Sequence, residues 1–201
     1  MFFKKHNNIY ILLRYTKKIM KKALMFGVMI LVMSSLAFAS DLSKYPGMFV
    51  KNHALDVYIV VGKAAAAEDV IGAVDIATSL MQSSANPKLA NVAGILDENI
   101  LNDLTEKNTI LVGGPCANSA TAKIMGYPKD CTEGFELGAS TIRLYNHNNG
   151  NYALLVAGRT AMDTRRATNV ISDYSNPNYN IRGTEIVVKG ADLSITSVIS
   201  K

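Results

Sequence analysis

The sequence predicts an α/β fold, an open mixed sheet with flanking helices, on three observations. First, β-branched apolar runs end on a glycine and pass into a helical pattern three times: DVYIVVG ending at Gly62, TILVG at Gly113 and YALLVAG at Gly158. Second, such near-continuous runs mark strands buried on both faces of a parallel sheet, and glycine suits the sharp turn at the strand end because no Cβ restricts it. Third, the alternating segment 141–145 joins 152–157 through an Asn-Gly turn, so one strand pair is antiparallel and the sheet is mixed. The arrangement is Rossmann-like, with three strand-Gly-helix units and one β-hairpin.

The first 39 residues do not share this pattern. They hold seven of the 21 Lys/Arg and none of the 16 Asp/Glu. Lys17, Lys18, Lys21 and Lys22 precede the apolar run 23–33, and 34–39 supplies the small-x-small pattern that a signal peptidase cuts. A secretory signal peptide cleaved after Ala39 is expected, with Met20 reading as a natural start. The run falls short of the roughly 20 residues of a spanning helix, so the chain meets the membrane only through this signal. Residues 40–201 are expected to form a single domain. The formal charge of +5 resides in the leader, and the remainder carries 14 basic against 16 acidic residues. That balance gives no electrostatic footprint for nucleic acid.

The two cysteines, Cys116 and Cys131, both lie in the exported part and are expected to pair there. Closing a loop of about 15 residues is worth roughly 3 kcal/mol in the chain-entropy model. Their spacing matches neither C-x-x-C redox chemistry nor a zinc motif.

After a polar lead-in with a Pro46-Gly47 turn and the apolar Met48, Phe49 and Val50, Asn52-His53 breaks the pattern before the first strand, 57–61. Glu68 and Asp69 open the next helix, where negative charge suits the amino-terminal end of the macrodipole. Val70, Ile71, Val74, Ala77, Leu80 and Met81 recur at helical spacing and are expected to cover the sheet. The Ser/Asn/Pro-rich stretch 82–88 is a connector. Residues 89–96 suit a strand or a helix start, with a strand near 91–95 preferred, and a short helix follows from Asp97 to Leu104. The central strand starts at Ile110, and its helix runs to Gly126. A loop spans 126–138, and the hairpin strands 141–145 and 152–157 follow. Thr160 with Asp163 resembles a capping box, opening a helix that continues to about Tyr174. Residues 184–189 form a last β-branched strand, and 193–199 an edge strand or a tail.

In open α/β sheets ligands bind outside the carboxyl ends of the strands. The candidates there are Asn118, Ser119, Arg159, Asp163, Arg165 and Arg166. Arg165 and Arg166 could clamp a carboxylate, a phosphate or a uronic sugar; the alternative is a solvated helix face with ion pairs. Asp163 reads as a cap in preference to an acid. Neither G-x-G-x-x-G nor G-x-x-x-x-G-K-[ST] occurs. G-x-S-x-G is missing too, and beyond the leader the histidines are His53 and His147, away from the predicted strand ends. No catalytic residue, metal site or cofactor is therefore expected, and enzyme activity is not. Asn-x-Ser/Thr acceptors are absent from 40–201.

Three blocks carry a family likeness: FVKNHALDVYIVVGKAAAAEDVIGAVDIATSL at 49–80, ILVGGPCANSATAKIMG at 110–126 and ALLVAGRTAMDTRRATNVI at 153–171. Together they resemble archaeal surface-layer (S-layer) proteins, in which the first block belongs to the amino-terminal region and the other two to the carboxyl-terminal region. The resemblance implies a secreted, non-catalytic cell-surface protein of the envelope, partnered by other surface proteins or by itself in a surface coat. The alternative is an extracellular module binding an anionic envelope polysaccharide. Family members carry additional β-rich parts, whereas here 82–108 joins the blocks almost directly, so an anchoring or accessory module is implied.

Overall fold

The computed structural model of the protein describes residues 40–201. The predicted leader, with its signal peptide and Met20, lies outside them. Two single-turn 3-10 helices, Leu42–Lys44 and Gly47–Phe49, precede β1 (Val50–Lys51). Asn52 and His53, which the sequence reading took only as a break, both adopt positive φ (49° and 65°) and turn the chain into β2 (Ala54–Val61). Two consecutive positive-φ residues make the hairpin turn whose twist matches paired strands, and β1 pairs antiparallel with the start of β2.

The chain then runs through α1 (Ala67–Ser83), β3 (Asn91–Leu96), α2 (Asp97–Ile100), β4 (Thr109–Val112) and α3 (Ser119–Ile124). The hairpin β5 (Ala139–Asn146) and β6 (Tyr152–Gly158) follows, then α4 (Ala161–Ser172), β7 (Glu185–Ala191) and β8 (Ser194–Ser200). The sheet is open and mixed. Its order runs from β2 through β4, β6, β5 and β7 to β8, with β3 on the other edge of β2. β3, β2, β4 and β6 are parallel, and β5, β7 and β8 alternate in direction.

Alternate residues of each parallel strand feed two cores, as a strand covered on both faces requires. Ile59, Ile110 and Leu154 pack under α1 and α4, with Ile76, Leu80 and Ile171 from those helices. Val60, Leu111 and Leu155 pack on the other face with Ile100 of α2 and Ala120 of α3.

The predicted apolar stripe of α1 holds at Leu80 and Ala77 and is corrected at Val70, Ile71 and Val74. The buried face is Asp69, Gly72, Ala73, Ile76 and Leu80, while Val70, Ile71 and Val74 are 45%, 51% and 58% exposed. Contact with α4 sets the rotation. A Cβ on Gly72 would stand 2.5 Å from Thr168 Oγ1, so the two helices meet at that glycine. Ser79 Oγ donates to Ser172 O at 2.6 Å, and Arg165 pairs with Asp75, further fixing the orientation. Smaller differences concern element ends. The α-helix opened by Asp97 ends at Ile100 and gives way to turns, α4 ends at Ser172, and the segment near 193–199 is the edge strand β8.

Candidate functional site

The registers that align Val61 with Leu96 and Val112, and Val112 with Val156, bring four strand ends to one side of the molecule. Four loops meet there, after Gly62, at Asp97, at 113–118 and after Gly158. The glycines do more than permit a turn. A Cβ on Gly62 would lie 1.8 Å from Ala117 O, so the loop at 114–118 packs directly on the end of β2.

Asn118 fills the crevice between β2 and β4. Its Nδ2 donates to Val60 O (3.1 Å) and Val112 O (3.0 Å), and its Oδ1 accepts from the N–H groups of Ala120 (3.0 Å) and Thr121 (3.2 Å). One fully buried side chain thus ties two strand ends and caps α3. Ser119 donates through its N–H and its Oγ to Asp97 Oδ2, both at 2.6 Å, and the Lys63 N–H donates to Asp97 Oδ1 at 2.9 Å. Burial works to raise the Asp97 pKa, but the Ser119 hydroxyl and the Ser119 and Lys63 amides hold it below the ordinary carboxylate value. Asp97 therefore joins the loops after β2, β3 and β4.

At the β6 end, Thr160 and Asp163 form a capping box. Asp163 Oδ2 accepts from Thr160 N–H at 3.1 Å, and Asp163 N–H donates to Thr160 Oγ1 at 3.1 Å. The other Asp163 oxygen pairs with Arg166, whose buried guanidinium also donates to the backbone oxygens of Asp192 and Gly138. Arg165 leaves another side of α4 and binds Asp75, Thr168 and Asn169. The two guanidinium groups do not converge into a clamp. Of the six predicted positions, Asn118, Ser119, Asp163, Arg165 and Arg166 are each engaged inside the fold, and Arg159 stands exposed at the rim of the loops. The Cys116–Cys131 disulfide closes beside them with an S–S distance of 1.96 Å.

Between the β4 and β6 loops lies a cleft of about 160 Å³, lined by Asp69, Gly114, the disulfide, Arg159 and Thr164. Asp69 is 2% exposed, and its Oδ1 has no hydrogen-bond partner. Burial pushes its carboxyl above the ordinary value, against the Ala66 amide and the Thr164 hydroxyl. The sequence reading placed Asp69 only as a helix-opening charge. Nothing in one sequence distinguishes a first-turn acid facing solvent from one folded under a neighbouring loop. Asp97 went unrecognised for the same reason, since its partners lie 34 and 22 residues away. His147 sits in the hairpin at the opposite end of the strands, with burial lowering its pKa. Among the described residues no group of three or more His, Cys, Asp or Glu is placed to hold a metal ion, and no helix is long and apolar enough to cross a membrane.

A family model described as S-layer like family, outer domain, matches residues 41–86 and 82–175. None of the curated proteins matches the chain.

Proposed function

The chain belongs to the S-layer like family, outer domain, and from that membership we propose that it is an exported, non-enzymatic structural or anchoring module of the cell envelope. The family carries a cell-surface location and a structural role, with self-association in a surface coat. The observation that supports a scaffold in particular is the use of the strand-end loops. Where an open sheet ordinarily receives a ligand, Asn118 and Asp97 spend their side chains on neighbouring backbone. We read residues 40–201 as one domain, Rossmann-like in its parallel half, released from the leader by cleavage after Ala39. Cell fractionation with electron microscopy of the envelope tests the reading: the protein is expected in the surface layer, and recovery in the cytosol would overturn it. Amino-terminal sequencing of the exported form should begin at Ser40.

A second reading, binding of an anionic envelope polysaccharide, is favoured by Arg159 at the mouth of the cleft. Arg159→Ala should then pull down less isolated envelope glycan than wild type, and equal recovery would remove this reading.

A further inference from the structure

We propose that the outer edge of β3, together with the adjoining flank of α1, is a self-complementary interface through which a second copy of this chain continues the sheet by antiparallel β3 pairing. The proposal rests on the surface-coat reading and names the contact by which copies would join.

β3 pairs with β2 along the whole of Asn91–Leu96, and among the described residues no strand pairs with its other edge. An open edge presents a row of unpaired N–H and C=O groups, and monomeric proteins commonly blunt it with Lys, Pro or a bulge. β3 reads Asn-Val-Ala-Gly-Ile-Leu, with no charge and no proline, in unbroken register with its neighbour. The opposite edge, β8, is uncharged as well. It is bordered, however, by ion pairs of Lys189 and Lys201 with Glu136 and Glu185, and its register is irregular at Lys189/Gly190.

The apolar border lies at the β3 end. α4 holds α1 on one side through Gly72, Asp75 and Ser79. Val70, Val74 and Met81 lie on the opposite side of the helix, as the 100° step per residue requires. Leu89, just before β3, and Leu96, at its end, are 67% and 44% exposed as well.

A two-fold axis places each surface against itself, so the surface must not repel its own copy. An uncharged strand meets that condition. Pairing centred on Ala93, which then faces its own copy as a two-fold axis requires, also sets Lys88 of one copy opposite Glu98 of the second, whose carboxylate holds Lys63 of its own chain as well. An axis perpendicular to the sheet keeps both α1 helices on one face, with their Val70 and Val74 flanks turned toward each other. α1 packs on β2 and β3, so with strands about 4.8 Å apart the two helices stand about 10–14 Å apart, near ordinary helix-packing distance.

Gly94→Lys and Val74→Lys test the interface at its two parts. A Cβ on Gly94 meets nothing within 4 Å and Val74 is exposed, so neither change should disturb the fold. An unchanged melting temperature checks this. In sedimentation velocity the purified wild type should form dimers or larger species, and each lysine should weaken association by about tenfold or more by setting like charges together. Under mild oxidation Ala93→Cys should give a covalent dimer, and Thr196→Cys, on β8, should not. A monomeric wild type, lysine variants that associate as tightly as wild type, or cross-linking through Thr196→Cys instead would each overturn the proposal. These outcomes are separate from failure of the coat reading. Protein that resides in the surface layer but associates independently of Gly94 and Val74 refutes the β3 contact alone, whereas protein absent from that layer refutes the reading itself.

Discussion

Removing the Asp97 carboxylate should release three of the four strand-end loops from one another. Asp97 accepts two charge-assisted bonds from Ser119 and one from the Lys63 amide, all between 2.6 and 2.9 Å. Bonds to a charged group are each worth about 1.5–3 kcal/mol, part of which is offset by no longer burying the carboxylate, so Asp97→Ala should cost about 3 kcal/mol. For a domain of this size, 1 kcal/mol moves the melting temperature by about 2–4 °C, giving an expected drop of about 6–12 °C. Ser119→Ala removes only the hydroxyl bond and should cost about 1 kcal/mol. The pH dependence carries the same signature. The folded-state pKa of Asp97 lies below its unfolded value, so its contribution is present above the unfolded value and is lost as pH falls through the folded one. The gap between wild type and Asp97→Asn should therefore be full at neutral pH and should narrow below about pH 4. Calorimetric melts across pH, with the disulfide kept oxidised, supply the measurement. An Asp97→Ala variant melting within about 2 °C of wild type at neutral pH would refute the reasoning.

Other perturbations follow from the same wiring. Replacing both Cys116 and Cys131 by Ser should lower stability by about 3 kcal/mol, since the bridge closes a 15-residue separation; reductant should bring wild type down to the variant and leave the variant unmoved. Arg166→Ala should cost about 3–5 kcal/mol by leaving the Asp163 carboxylate buried without its partner. Arg165→Ala, at a half-exposed pair with Asp75, should cost about 1 kcal/mol, and denaturant titration separates the two. Gly72→Val should destabilise by about 1–3 kcal/mol in the same assay, because its side chain would collide with Thr168. The folded pKa of Asp69 is raised, so its contribution to stability declines as pH rises from the unfolded value through the folded one. Asp69→Asn should flatten that part of the pH–melting profile, and an unchanged slope would count against a buried, titrating Asp69.

The strand runs, the Asn-Gly hairpin and the Thr160–Asp163 box were readable because each is a local pattern. Their residues lie within a few positions of one another, and their physical requirements do not depend on what packs against them. The site was readable only in outline. The end of the sheet at which loops gather follows from strand direction, but the partners that bind Asp97, Asp69 and Arg166 come from distant turns. Arg165 and Arg166 illustrate the limit. They are adjacent in sequence and about 100° apart on the helix, so one meets α1 while the other is enclosed against Asp192 and Gly138.

The rotation of α1 connects that limit to function. Periodicity alone assigned Val70, Ile71 and Val74 to the core, because it ranks faces by hydrophobicity. The fold ranks them by fit, and a glycine that lets α4 approach closely outweighs a valine that would hold it away. Once Gly72 faces α4 and Ala73 faces the sheet, Val70 and Val74 must fall on the far side, next to the open edge of β3. A chain that needed no partner could place polar residues there without altering either core. At the strand ends Asn118, Asp97 and Asp163 are engaged by hydrogen bonds within the chain, while this edge combines unpaired backbone with exposed valines. The hydrogen-bonded strand ends thus hold the domain together, and the β3 edge joins unpaired backbone to an apolar border that can meet another chain.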